Sequence, residues 1–243
     1  MTARTLDGLA RIEPYARELL VRVDAALIAL GAPPEHPIWV GLRRLGATPG
    51  DAVAFLLAAD PEPLRAAGAA LREQMREYSS ARIPASIPWH GVAGEAFGAQ
   101  AAALRAYLGV GVEEAPDPES HCGRLDATAS YVEEVADWYE RSRASLARTL
   151  ADVLNSTQAV TVRTCAALAG GLTSVAQLSG QVPGDAAVAA ADIGAYVLSP
   201  IVDAHEAGHE LLQRWGPRLV DVAYRGPSLA DPARFDATIR VRH

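Results

Sequence analysis

Lysine is absent from this chain of 243 residues, so all 22 of its basic residues are arginines. The net charge is −7, and the arginines form no polybasic run that would neutralise a phosphate backbone. We therefore expect no nucleic-acid partner.

Cysteine is nearly absent as well. The two cysteines, Cys122 and Cys165, lie far apart and match no CxxC metal or redox spacing. This pattern favours two small buried residues, although it leaves a disulfide between them open.

Long apolar runs are also missing. The first twenty residues carry charges throughout and lack the apolar region of a Sec signal peptide. The longest weakly polar stretch, VAAADIGAYVL at 188–198, is shorter than the roughly 18 to 20 residues that span a bilayer. We expect no stable membrane span, and a protein that is cytoplasmic or secreted without a Sec signal.

Hydrophobic residues, which make up half of the chain, recur at helical spacings of three and four. No convincing period-two strand is present, so the sequence predicts an all-α fold, an elongated helical bundle. The predicted segments are an N-terminal helix and loop (1–48), a helical hairpin with a long helix (49–165), C-terminal helices (166–217) and an irregular tail (218–243).

Capping residues indicate where several helices begin and end. Thr48-Pro49 and Asp60-Pro61 are typical helix starts, because a side-chain oxygen caps the first turn and proline fits the first helical position. Gly31 suits the end of the first helix. Pro200 predicts a restart within the C-terminal helical region.

Two alanine-rich amphipathic segments flank a tryptophan–glycine turn in residues 60–108. The first is DPEPLRAAGAALREQMREY and the second is PWHGVAGEAFGAQAAALRAYL. This order predicts an antiparallel hairpin with Trp89 and Gly91 at its turn. It resembles the WXG-type proteins of ESX, or type VII, secretion systems, and Phe97 keeps the spacing shown by that family. A second W-x-G match, WVG, lies at 39–41.

The resemblance implies a non-enzymatic interaction protein that presents helical faces to itself or to a protein partner. It assigns turn and interaction roles to Trp89, Gly91 and Phe97. The extra C-terminal helices are similar to those of larger ESX-associated substrates. The family's export motif, a tyrosine followed four residues later by Asp or Glu just after the second helix, is absent, so export stays open.

The stretch DAHEAGHELLQRW at 203–215 contains a second motif, HExxH. On a helix, His205 and His209 can point both imidazoles at one zinc ion, with Glu206 as general base. This spacing predicts a zinc-dependent, metallopeptidase-like hydrolase as the alternative function.

A zinc hydrolase of this kind needs a third protein ligand. After Glu210 the chain has no glutamate and one histidine, His243, which leaves Asp221 as the best candidate. The DVAYRG sequence around Asp221 resembles the Asp-x-x-Tyr element of aspartate-liganded zinc peptidases. Two observations weigh against a zinc hydrolase. The charged residues Asp203 and Glu210 flank the motif, whose helix is usually buried in such enzymes, and no sheet is predicted that could hold a substrate.

The other interpretation places HEAGH within one turn of a bundle helix. In it, His205 is a core residue and Glu206 a surface charge, and the buried face carries Ile201, His205, Gly208, Leu212 and Trp215. We favour this interpretation, which predicts no catalytic residue and no cofactor. A structural segment of a larger toxin or shell assembly is a third possibility.

Overall fold

The computed structural model describes residues 8–84, 88, 90–110, 117–169 and 181–219. These residues contain helices and no strand, which confirms the predicted all-α fold. The helices are α1 (Gly8–Leu30), α2 (Ile38–Leu45), α3 (Pro49–Ala58), α4 (Glu62–Ser79), α5 (Val92–Leu108), α6 (His121–Leu154), α7 (Thr157–Ala169) and α8 (Gln181–Trp215), followed by a 3₁₀ turn at Gly216–Arg218.

The predicted helix starts at Thr48 and Asp60 are confirmed. Thr48 Oγ1 accepts a hydrogen bond of 3.3 Å from the backbone N–H of Asp51, and Pro49 is the first residue of α3. The Asp60 carboxylate accepts one of 3.1 Å from the N–H of Glu62. Both bonds satisfy N–H groups that have no partner inside the helix. At α3, Asp24 of α1 adds a tertiary contact, because its carboxylate accepts from the Gly50 N–H at 3.1 Å.

The predicted helix restart at Pro200 is wrong, because Pro200 lies inside the continuous helix α8. A proline within a helix costs about 3 kcal/mol, since it lacks an N–H and its ring crowds the preceding turn. Val197, Leu198 and Ile201 are buried beside it. Each buried aliphatic side chain contributes about 1.5–3 kcal/mol, which offsets that cost.

Helix α2 lies where the sequence analysis predicted loop, and it contains the WVG tripeptide at 39–41. His36 Nδ1 accepts a 3.2 Å hydrogen bond from the N–H of Ile38, and its Nε2 lies 3.1 Å from Asp192 Oδ1. The indole N–H of Trp39 donates to the carbonyl oxygen of Pro33 at 2.8 Å. WVG therefore belongs to a helix and not to a turn.

The chain divides into two compact units. Unit 1 comprises Met1–Pro63 and Glu134–Gln213, and unit 2 comprises Leu64–Glu133 and Arg214–His243. The segments predicted from the sequence are contiguous, whereas each unit joins two separate parts of the chain. Helix α6 contributes residues to both units.

The core of unit 1 is built from aliphatic residues and alanines. Small residues on α8 allow the helices around it to approach closely, while leucine and valine fill the space between them. Its largest fully buried side chains include Leu19, Val23, Ile38, Leu146, Leu150, Val197 and Leu198.

An arginine from α6 caps the end of α3 within unit 1. Arg143 Nη1 donates to the carbonyl oxygens of Leu56 at 2.9 Å, Leu57 at 3.3 Å and Ala59 at 2.6 Å. These carbonyls have no partner further along α3, and a positive charge suits the negative end of a helix. The contact stabilises the C-terminal end of α3 from a different helix.

In unit 2, one arginine joins α4 to the N-terminal part of α6. Arg72 donates through Nε and Nη2 to both carboxylate oxygens of Glu133, each at 2.7 Å, and through Nη1 to Asp126 at 2.8 Å. The hydrogen bond from Arg72 lowers the pKa of Glu133 and raises that of Arg72. This fork-to-carboxylate geometry fixes α4 against α6.

Both cysteines are buried and free. Burial raises the pKa of the Cys165 thiol, which disfavours the reactive thiolate. The two residues act as small apolar side chains, and no disulfide joins them.

One stretch of the described chain, Gly184–Arg218, is long and apolar enough to cross a membrane by length and composition alone, with a mean hydropathy of 1.4. Half of its most apolar window is buried inside the fold. Core helices of water-soluble proteins meet the same criterion, so this finding says little about a membrane.

Candidate functional site

The HEAGH motif lies on α8, with both of its histidines exposed. Glu206 is partly buried and forms an ion pair with Arg44 of α2. The amide nitrogen of Gln213 lies 2.8 Å from His209 Nε2, so this ring nitrogen accepts a hydrogen bond. Each of these partners competes with the role that a zinc site would require of the residue.

The predicted buried face of α8 is wrong in part. Ile201, Ala204 and Leu211 are buried, whereas Leu212 is 56% exposed. His205 is exposed and not in the core, which contradicts its predicted position. The Glu206 side chain is 44% exposed and carries an interhelical ion pair. Ile201 and Leu211 lie three and seven residues from Ala204, so these three residues share one helix face, which is rotated from the predicted one.

Gly208, at the fourth position of the motif, lies beneath the ring of Trp138 from α6. A Cβ atom at this position would lie only 2.9 Å from Trp138 Cζ2. The Trp138 indole N–H donates to the carbonyl oxygen of Ala204 at 2.9 Å. Trp138 is half-buried and packs against α8.

A metal ion would need at least three ligands around this motif. Within the described ranges, no group of three His, Cys, Asp or Glu side chains is arranged to hold one. The proposed third ligand, Asp221, and the alternative His243 lie outside the described residues. The zinc-site hypothesis therefore rests on the pair His205 and His209.

An apolar groove opens beside the motif, within unit 1. It has a volume of about 420 Å³ and is formed by α2, α3, α6 and α8. We call it the Phe55 groove. Its lining includes Leu45, Asp51, Phe55, Trp138, Ile201 and His205.

The Phe55 groove combines aromatic walls with an acidic end. Phe55 is 68% exposed, and Trp138 is held in place by its bond to Ala204. Asp51 lies on the first turn of α3, close enough to Asp24 for their charges to interact. Burial raises the pKa of Asp24, hydrogen bonds from Thr48 and Gly50 lower it, and the Asp51 charge adds a smaller increase.

This groove could not be predicted from the sequence. Phe55 and Asp51 lie in a helix whose pattern predicts burial and capping, and nothing local shows that the Phe55 ring is exposed. The groove forms where the consecutive helices α2 and α3 meet α6 and α8, which lie far away in the chain.

The predicted W-x-G turn is described in part. Trp89 lies outside the described residues, while Gly91 immediately precedes α5 with φ 76° and ψ −160°. Side chains disfavour this backbone conformation, so position 91 favours glycine. Phe97 is half-buried on α5. Tyr78 near the end of α4 and Val92 at the start of α5 are 42% and 43% exposed.

Comparison of the chain with protein-family models, with curated proteins and with solved structures finds no match.

Proposed function

We propose that this chain is a non-enzymatic helical protein that works by associating with itself or with a protein partner, as its resemblance to the WXG-type ESX proteins implies. The W-x-G end of unit 2, formed by Tyr78, Val92 and the turn between them, is the proposed contact surface. Trp89 and Phe97 complete it in this proposal.

The observation that carries the proposal is the exposure of apolar side chains at the end of α4 and at the start of α5, beside Gly91. Tyr78 and Val92 leave about two-fifths of their surface in water. Gly91, which precedes α5, holds a backbone conformation that favours glycine. Exposed apolar groups are suited to burial against another helical chain.

Site-specific photocrosslinking in cells tests this surface directly. A photoreactive amino acid replaces Val92 in one variant and Val188 in a control. Val188 suits this purpose because it is 44% exposed and lies on α8 in unit 1. We expect a crosslink from position 92 to a second copy or to another protein, and none from position 188.

Two further substitutions test the same surface in vitro. Val92→Glu introduces a charge and Trp89→Ala removes the ring, so each should reduce association in sedimentation analysis at up to about 100 μM chain. Absence of crosslinks at position 92, together with a monomer at every concentration, contradicts the proposal.

A further inference from the structure

The Phe55 groove has the size and surface of a small-molecule site. Its volume of about 420 Å³ falls within the range of about 300–1,000 Å³ typical of ligand pockets. Apolar side chains such as Leu45 and Ile201 line it, and Asp51 and His205 supply polar groups at its edge. A mostly apolar lining with few polar groups is the usual composition of such sites.

The charge of the groove selects among possible ligands. Asp51 contributes a carboxylate to its lining, and its charge interacts with that of Asp24. No arginine is found among the described residues that line the groove, and the chain contains no lysine. Arg44 of α2 is paired with Glu206, and Arg143 of α6 donates to the carbonyl oxygen of Leu56. An anionic ligand would therefore meet the Asp51 carboxylate with no arginine in the described lining.

The aromatic rings of the groove also favour a positively charged ligand. Phe55 and Trp138 both line the groove, and the face of an aromatic ring attracts a cation. The Trp138 ring is already oriented by its hydrogen bond to Ala204 and by Gly208 beneath it. Little conformational freedom is lost from this side chain when a ligand binds.

We propose that the Phe55 groove binds a small organic cation, with its apolar body against Ile201 and Leu45 and its ammonium group between Asp51 and the aromatic rings. This site lies in unit 1 and does not depend on the association surface proposed for the W-x-G end of unit 2.

Three benzyl compounds of similar size and different charge test the proposal: benzyltrimethylammonium, benzyl alcohol and phenylacetate. Each is titrated into the intact chain while the indole N–H signals are followed by nuclear magnetic resonance. Trp138 reports on the groove, and Trp39, whose N–H is bonded to Pro33, is the internal control.

We expect benzyltrimethylammonium to shift the Trp138 signal with a Kd of about 1 mM or lower, as befits a ligand of this size. Benzyl alcohol should bind at least about threefold more weakly, and phenylacetate should show no saturable shift, since the cation–carboxylate attraction is lost or reversed. Equal affinity for the three compounds, or no binding of the cation, overturns the proposal.

Substitutions at two exposed positions separate the contributions of ring and charge. Phe55→Ala should weaken cation binding about fivefold. Asp51→Asn should remove the preference for the cation over benzyl alcohol, and Asp51→Glu should retain it. Tyr15→Ala is the matched control, because Tyr15 is 65% exposed on α1 and does not line the groove.

The Trp39 signal in each variant verifies that unit 1 is folded, so a loss of binding can be assigned to the groove. If Asp51→Asn still prefers the cation over benzyl alcohol, Asp51 is not the group that recognises the ammonium. If the unmodified chain shows no association through the W-x-G end but binds the cation, the proposed function is refuted and this inference stands.

Discussion

The indole N–H of Trp138 donates a hydrogen bond to the backbone carbonyl oxygen of Ala204, 2.9 Å away. That carbonyl is also the acceptor for Gly208 in the helical ladder of α8, so its two lone pairs serve both helices. Gly208 in turn leaves the space that the Trp138 ring occupies. The HEAGH turn therefore serves as a packing site for α6, which supplies a physical reason for its glycine.

Gly208→Ala should destabilise the protein. The new Cβ would lie 2.9 Å from Trp138 Cζ2, and overpacking of about 2 kcal/mol outweighs the gain of about 1 kcal/mol in helix propensity. We expect a net decrease of about 1 kcal/mol in the free energy of unfolding, measured by urea denaturation.

The matched control is Gly184→Ala on the same helix, where a Cβ meets nothing within 4 Å. This substitution should be neutral or should stabilise the protein by up to about 1 kcal/mol. If the two variants have the same stability, the Trp138 contact is not what requires glycine at position 208.

Arg143→Met should destabilise α3 by removing the donor shared by the carbonyls of Leu56, Leu57 and Ala59. Hydrogen bonds from charged donors are worth about 1.5–3 kcal/mol, so we expect a loss of about 2 kcal/mol. Hydrogen exchange should be faster in the last turn of α3. Arg141→Met, at an exposed position two residues earlier, should change stability by less than about 0.5 kcal/mol.

A double-mutant cycle of Arg72→Met and Glu133→Gln should show a coupling energy of about 1 kcal/mol. The bidentate geometry strengthens this pair, although partial exposure of both side chains weakens it. The more exposed pair Arg76–Glu73 should give about 0.3 kcal/mol in the same experiment. Equal coupling of the two pairs would contradict a special role for Arg72.

The Glu133 pair also predicts a pH dependence. Arg72 lowers the pKa of Glu133 below its ordinary value of 4.5, so the unfolded state binds the proton more readily than the folded state. The contribution of this ion pair to the free energy of unfolding is fully present above pH 4.5. It is lost as the pH falls through the lower pKa that Glu133 has in the folded state. Glu133→Gln should therefore show a flatter stability profile in this acidic window than the original chain. Arg72→Met should flatten it as well, and an unchanged slope would contradict the pair.

The HEAGH residues are expected to bind no stoichiometric zinc. Glu206 pairs with Arg44, and Gln213 donates to His209 Nε2. Elemental analysis of the purified full chain should find well below one zinc per chain. Because both histidines are exposed, His205→Ala/His209→Ala should change stability by less than about 0.5 kcal/mol. One zinc per chain, lost in this double variant, would favour the hydrolase and imply a ligand such as Asp221.

Local chemistry explains which predictions succeeded. A helix start depends on a capping oxygen and a proline within a few residues, as at Thr48 and Asp60, and helical periodicity repeats within one segment. By contrast, the failure at Pro200 arose because burial of its neighbours, a tertiary effect, offsets the local cost of proline.

The amino-acid sequence by itself determined the helical character of this protein, its main helix ends and the spacing of His205 and His209. Only the tertiary structure decided that Trp138 packs on Gly208, that Arg143 caps α3 and that Phe55 stands at the edge of a groove. Sequence periodicity indicates that a helix has an apolar face. Which helix packs against that face depends on the shape, hydrogen bonds and charge of residues far away in the chain.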